Sequence, residues 1–329
     1  MITVVVPVYK VGRYIENSMK SLIAQTFKDY EILLVDNNSP DDSIQVAEGV
    51  LKNADVNYRV VKQSIQGLPA AREKGFDEAK GEWVVTIDPD DTISPTYLEE
   101  LYHYAKSTGV ELVFCRFKET PEKELFVFCK TEEGSFSVVD RDVLMDKLLR
   151  RELSLMITNT IIKKSLYEKI EEGFDKEVVL GADLIFVWRL LLNIDKVGYL
   201  QSRLYNHFTR EDSLMTAPSA KKIDSNLAGY KRLCEIMSTE YSEQFSKWVY
   251  AREVFALLSV VSIYGEYPLF IENRKRYYDS DVRKALVSFP DRRIVMMNSL
   301  LSVFPWVFYK VTKKLKQPNS WLNKTLHKH

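Results

Sequence analysis

Cysteine is scarce: Cys115, Cys129 and Cys234 are the only three in 329 residues, widely spaced and without a CxxC pair. That argues against a disulfide scaffold or a zinc site and suits reduced packing residues in a cytosolic protein. Charge of one sign is not in excess either, with 46 Lys+Arg against 46 Asp+Glu, so no basic field points to nucleic acid. "MITVVVPVY" enters a strand at once, without a basic n-region, an apolar h-region or a small-residue cleavage site, and secretion is not expected. The first strand-to-helix turn, "PVYKVGRY", lacks GxGxxG, and GxxxxGK[ST] is found nowhere, which removes the usual dinucleotide and ATP loops. A long apolar run is missing too. The nearest candidate, Ile294 to Tyr309, is uncharged but short for a bilayer and interrupted by Pro305.

What is present is ordinary globular material, 46% apolar and 28% charged, in a length that allows two domains. Apolar strand-like runs alternate with amphipathic segments: "ITVVV", "EILLV", "YRVVK", "WVVTI" and "ELVFCRF" are separated by stretches with apolar residues at helical spacing. In "SPTYLEELYHYAKS", Ser94 suits an N-cap and Pro95 a first turn. This pattern predicts an α/β fold, a mostly parallel sheet flanked by helices, with a helical extension beyond about residue 216. Such sheets bind ligands outside the carboxyl ends of their strands. "PVYKVG", "DNNSPDD" and "DPDD" all fall there.

The last of these places Asp88, Asp90 and Asp91 directly after a buried strand. Clustered carboxylates repel unless a cation or donors neutralise them. A solvated turn is the plain reading, since Asp and Pro favour turns. A second is a haloacid dehalogenase-type phosphatase, with DxDxT at 88–92 and Asp88 as nucleophile. Its motif normally closes the first strand, however, and three strands come earlier here. A third is a transferase in which Mg²⁺ or Mn²⁺ bridges carboxylates and a substrate diphosphate.

Three segments in order, "VVVPVYKVGRYIENSMKSLIAQTFKDYEILLVDNNSPDDS", "QGLPAAREKGFDEAKGEWVVTIDPDD" and "GADLIFVWRLL", resemble the family 2 glycosyltransferases of GT-A fold. The resemblance spans about residues 1–215, with a nucleotide-sugar half at 1–118 and an acceptor half at 119–215. It implies that Pro7, Val8 and Tyr9 line a nucleotide pocket and that Asp36 bonds the base, in this family most often uracil. Arg72 matches an arginine near the nucleotide, Asp88 and Asp90 match carboxylates facing ribose and metal, and Asp91 the most direct metal ligand. Asp183 matches the catalytic base. In "YNHFTREDS", His207 matches a metal or phosphate contact and Arg210 a phosphate clamp; a structural histidine is the plain alternative. Trp188 and Arg189 read as packing and a surface charge. The chain departs from the family at Asn37, where a second acid is common, at Glu73 and Ile65, and at Ala182 beside Asp183. QxxRW of processive synthases is missing, which favours transfer of one sugar per acceptor.

The resemblance implies an inverting displacement. Asp183 takes the proton of an acceptor hydroxyl, and a nucleoside diphosphate leaves the anomeric carbon of the donor, a UDP-sugar by preference. A helix-terminal position favours the ionised form of such an acid, whereas a general base gains from partial desolvation; sequence leaves both open. The implied partners are a nucleotide-sugar and a glycan or lipid-linked acceptor of capsule, exopolysaccharide or lipopolysaccharide assembly, with oligomeric state open. A non-catalytic sugar-nucleotide-binding protein is the remaining alternative. Aromatic residues followed by lysines across 294–316 suit either a buried helix or one lying in a membrane interface. The expected location is therefore the cytoplasm, free or at the inner face of the membrane.

Overall fold

The computed structural model describes residues 1–121, 134–178, 181–209 and 219–314. The chain divides into two compact units. The first comprises residues 1–145, 154–176 and 182–210, and the second 146–153, 177–181 and 211–329.

In the first unit the order is β1 (Ile2–Val8), α1 (Ile15–Ile23), β2 (Tyr30–Asp36), α2 (Ser43–Leu51), β3 (Asn57–Lys62), α3 (Leu68–Glu78) and β4 (Trp83–Thr86). There follow β5 (Thr92–Ile93), α4 (Tyr97–Thr108), β6 (Leu112–Pro121), β7 (Phe136–Asp140), α5 (Arg141–Leu149, whose residues 146–149 belong to the second unit), β8 (Thr160–Lys163), α6 (Lys164–Tyr167), α7 (Ala182–Leu192) and β9 (Lys196–Thr209). The sheet runs β3-β2-β1-β4-β8-β6-β9-β5, with β7 also on β9. Its first four strands are parallel, as their continuous apolar runs predict. β1 and β2 are buried over almost their whole length, because helices cover both faces. The chain winds from β1 outward to β3, then returns to β4 on the other side of β1. Strand order therefore reverses between β1 and β4, and in open α/β sheets such a switch point is where ligands bind, beyond the carboxyl ends of the strands.

Two details depart from expectation. The "ELVFCRF" strand, β6, does not extend the parallel set directly, because β8 inserts antiparallel between β4 and β6. Four-residue β8 sits in the mixed segment whose periodicity is ambiguous. The helix expected to begin at Ser94 begins at Tyr97, because buried Ser94 is held in the sheet region: its amide donates to the Leu204 carbonyl (2.8 Å) and its carbonyl accepts from Gln25 Nε2 (2.8 Å).

α3 lies tightly on β1. At Gly75 an added Cβ would collide with the Val5 side chain, so the helix comes as close as glycine permits. The next residue, Phe76, meets Phe186 of α7 edge-on at 5.6 Å, and Phe174 stacks on Phe186 at 3.9 Å. Arg189, expected at the surface, is buried instead. Its guanidinium donates to the Gly173 carbonyl (3.0 Å) and to the Glu172 carboxylate (2.7 Å), anchoring the loop that carries Phe174.

The second unit contains α8 (Ala220–Glu240), α9 (Glu243–Tyr264), α10 (Tyr267–Tyr277), α11 (Ser280–Val287), α12 (Arg292–Val303) and α13 (Pro305–Lys314). Ser219, Ser242, Asp279 and Asp291 cap their helices through side-chain oxygens. Among the described residues no helix is long and apolar enough to cross a membrane. Cys115 and Cys234 are free thiols, the first buried; Cys129 lies outside the described residues.

Candidate active site

The turn after β4 brings Asp88, Asp90 and Asp91 together, each with a carboxyl oxygen within 4.8 Å of the others'. They differ in surroundings. Asp91 is buried, and three donors converge on it: Tyr205 Oη to Oδ2 (2.5 Å), His207 Nδ1 to Oδ2 (3.1 Å) and the Phe208 amide to Oδ1 (2.8 Å). Tyr205 and His207 are two apart on β9, so strand alternation points both at Asp91. The Tyr205 oxygen also accepts from the Asp88 amide at 3.4 Å, tying both ends of the acidic turn to β9.

Burial raises the Asp91 carboxyl, while the Asp91 carboxylate lifts His207 to about 9 against the opposing effect of its own burial. With three donors aimed at its two oxygens, Asp91 is better described as a carboxylate facing an imidazolium.

Asp88 turns the other way. Its Oδ1 accepts from Arg72 Nη2 at 2.6 Å, and the same guanidinium forms an ion pair through Nη1 with Asp183. Arg72 is 1% exposed, whereas Asp88 and Asp183 are 26% and 37% exposed. Burial alone would disfavour the Arg72 charge, but the two carboxylates outweigh it and raise its pKa. The helices explain the meeting. Arg72 and Phe76 are four apart on α3, and Asp183 and Phe186 are three apart on α7, so the aromatic cluster that packs these helices aligns the ion pair one turn above it.

The opposite wall comes from the ends of β1 and β2. Pro7 and Val8 are buried, and Tyr9 is 42% exposed beside Lys10, whose backbone is left-handed (φ 54°). The Lys10 amide donates to Ser39 Oγ, the Val11 amide to Ser43 Oγ, and both hydroxyls donate to Asp41. Four hydrogen bonds, from the Ser39 and Ser43 hydroxyls and the Gly12 and Ser43 amides, overcome partial burial and hold Asp41 at about 2. Asp36 accepts from the Ser39 amide (3.0 Å).

Asn37, where the family often has an acid, is buried. Its amide donates to the carbonyls of Gln63 (3.0 Å) and Ile65 (2.6 Å), and its oxygen accepts from the Gly67 amide (2.8 Å). A carboxylate could not make the first two bonds.

The structure thus brings Arg72, Asp88 and Asp183 into one cluster and Asp91 and His207 into an adjoining one, with Asp90 on the same turn. Pro7, Val8, Tyr9 and Asp36 form the β1–β2 wall. Arg210 lies outside the described residues. Tyr205 and Asp41 are constituents that motif reading passed over. Tyr205 was signalled by its i,i+2 spacing to His207, and Asp41 by the serines two residues to either side.

The profile described as "Glycosyl transferase family 2" matches residues 3–170, half of the chain. The uncharacterized glycosyltransferase EpsJ of Bacillus subtilis is 27% identical over 69% of this chain and 66% of its own length. A GalNAc(5)-diNAcBac-PP-undecaprenol β-1,3-glucosyltransferase of Campylobacter jejuni is 29% identical over 73% of this chain and 74% of its own. The chain thus spans about two thirds to three quarters of these relatives. Among solved structures, S. aureus TarS 1–349 in complex with UDP-GlcNAc superposes with a TM-score of 0.66, covering 96% of this chain and 91% of that one at 18% identity. A Pyrobaculum calidifontis mannosyltransferase in complex with GDP-Man and Mn²⁺ gives 0.53 over 96% and 87% at 14% identity. The fold is therefore GT-A, and neither the phosphatase nor the non-catalytic reading is favoured. By sequence profile, relatives and architecture together, this chain is a glycosyltransferase and belongs to glycosyltransferase family 2.

Proposed function

We propose that the enzyme is an inverting, metal-dependent transferase moving one sugar from a nucleotide-diphosphate sugar, UDP-linked by preference, to a hydroxyl of a glycan or lipid-linked acceptor. The observation that carries this reading is the Arg72 bridge, which links a donor-side carboxylate, Asp88, to the acid at the start of α7, Asp183.

In this reading Tyr9 faces the base, Asp36 bonds it, and Asp88 and Asp90 face the ribose and diphosphate. The carboxylates of Asp88, Asp90 and Asp91 are hard oxygen donors close enough to share one Mg²⁺ or Mn²⁺, so the residues fit such an ion, with His207 beside them. When bound, the ion neutralises charge on the diphosphate. Asp183 accepts the acceptor's hydroxyl proton as that oxygen bonds to the anomeric carbon. The bond from that carbon to the diphosphate oxygen breaks on the opposite face, and the nucleoside diphosphate departs with the electron pair. Arg72 orients Asp183 and holds it at the donor side.

A lipid-linked acceptor is supported by the undecaprenol-linked substrate in the Campylobacter relative's name, and surface-polysaccharide assembly at the cytoplasmic face of the membrane is the setting we infer from it. The test is calorimetric titration of UDP, GDP and dTDP with and without Mn²⁺, alongside turnover. Wild type is expected to bind UDP in a Mn²⁺-dependent way. Asp183→Asn should bind it equally while losing about 10²–10⁴-fold in turnover. Full turnover in Asp183→Asn would remove that residue as the base.

A further inference from the structure

The uncharged run at residues 294–309 is neither wholly buried nor wholly exposed. Pro305 splits it into α12 and α13, and each helix has two faces. On α13, Phe308 stacks on Phe270 of α10 (5.9 Å, 11°) and meets Phe255 of α9 edge-on, while Thr312 hydrogen-bonds Ser262. Arg274 of α10 donates to the Leu301 and Ser302 carbonyls at 2.9 Å each, tying down the end of α12. The corner between the helices is therefore fixed from beneath.

Its outer face is apolar. Met296 is 63% exposed, Val303 65%, Phe304 57% and Trp306 57%, with Val307 beside them. Positions 292, 296, 299 and 303 form one stripe of α12, and 306, 310 and 314 one stripe of α13. The stripes meet at the corner in Val303 and Trp306, with Ser299 the one uncharged polar residue in them, and are basic at their far ends: Arg292 on α12, Lys310 and Lys314 on α13, all three exposed. Lys310 Nζ lies 5.4 Å from the centre of the Trp306 ring. Residues 292–314 contain no Asp or Glu.

We infer that this corner is a docking surface for an anionic lipid bilayer, with Phe304 and Trp306 entering the interface and the flanking cations reaching the headgroups. Aromatic residues at the centre and long basic side chains around them suit an interface that is apolar below and negative at its rim. A second copy of the chain is a poorer occupant. A two-fold contact that stacks one corner on the other would set cations against cations with no Asp or Glu among residues 292–314 to pair them. The inference rests on the helical unit alone and stands or falls apart from the donor-site reading.

The experiment is flotation of the full chain with vesicles of phosphatidylcholine, with and without phosphatidylglycerol, at low and high salt. Binding is expected on phosphatidylglycerol vesicles and should weaken with salt. Phe304→Ser with Trp306→Ser should lose at least about tenfold in affinity, since two large apolar side chains no longer leave water. Its melting temperature should hold, because both residues are already exposed. Lys310→Gln and Lys314→Gln should each cost roughly fivefold on anionic vesicles and little on neutral ones. Absence of binding to phosphatidylglycerol vesicles, or undiminished binding by the double serine variant, would overturn the inference. So would a wild-type dimer, seen by sedimentation velocity, that the same variant abolishes.

Discussion

At Arg72 a single side chain serves two carboxylates in different parts of the site, and its fork geometry matters as much as its charge. One terminal nitrogen faces Asp88 and the other Asp183. Lysine in its place keeps a positive charge but has one ammonium, which cannot hold both acids at their present spacing. Arg72→Lys is therefore expected to leave the chain folded and to lower turnover by about 10²-fold, the scale associated with misplacing a reacting group by an ångström. Steady-state kinetics with circular dichroism as the folding control checks this; turnover at the wild-type level would show that the bridge does not position Asp183. The sequence marks Arg72, Asp88, Asp90, Asp91 and Asp183 as site candidates through their motifs, but it carries no sign of who pairs with whom. That pairing depends on how α3 and α7 pack, a contact between residues 111 positions apart. Asn37 is the converse case. In sequence it reads as a lost acid, and in the structure its amide supplies two donations that an acid cannot.

At the scale of elements, what the sequence makes legible is whatever has a strong period. β1, β2 and β4 are continuous apolar runs, and α1 and α7 carry apolar residues at helical spacing, so their positions follow from local chemistry. β5, with two residues, is too short to have a readable period, and β8 lies in a mixed segment of ambiguous period; both are placed by the strands that supply their hydrogen bonds. Gly75 shows the same limit for packing. Within a helix glycine reads as a weakness, yet here it lets α3 settle onto Val5 of β1. Gly75→Ala should improve helix propensity and still destabilise the chain, by about 1–3 kcal/mol, because the methyl group forces α3 away from the sheet. Urea denaturation followed by far-ultraviolet circular dichroism gives the sign directly. A gain in stability would mean that α3 can shift without cost.

For the molecule as a whole, the parallel half of the sheet is tied together at its amino-terminal end by one carboxylate, away from the chemistry. Glu31 of β2 accepts from Thr3 of β1 (2.7 Å), from Arg59 of β3 (3.0 Å) and from the Lys80 amide just before β4 (3.1 Å). Thr3 Oγ1 in turn accepts from the Gly81 amide at 2.8 Å, so four strands converge on this group. Burial alone would raise the Glu31 carboxyl, but the bonds from Arg59, Thr3 and Lys80 together lower its pKa below the ordinary glutamate value. A pKa lower in the folded than in the unfolded chain means that the unfolded chain binds the proton more readily. The stabilisation is then complete above the unfolded value of about 4.3 and drains away as pH falls through the lower folded value. Glu31→Gln removes this linkage. The variant should be less stable than wild type at neutral pH, because Gln cannot supply the charge that Arg59 faces. The difference should shrink steadily as the pH falls from the unfolded value of about 4.3 through the lower folded one, where wild-type Glu31 becomes protonated as well. Thermal melts of both proteins from neutral to acid pH measure that convergence. A gap of constant size across the acid range would show that Glu31 holds the four strands by shape rather than by charge.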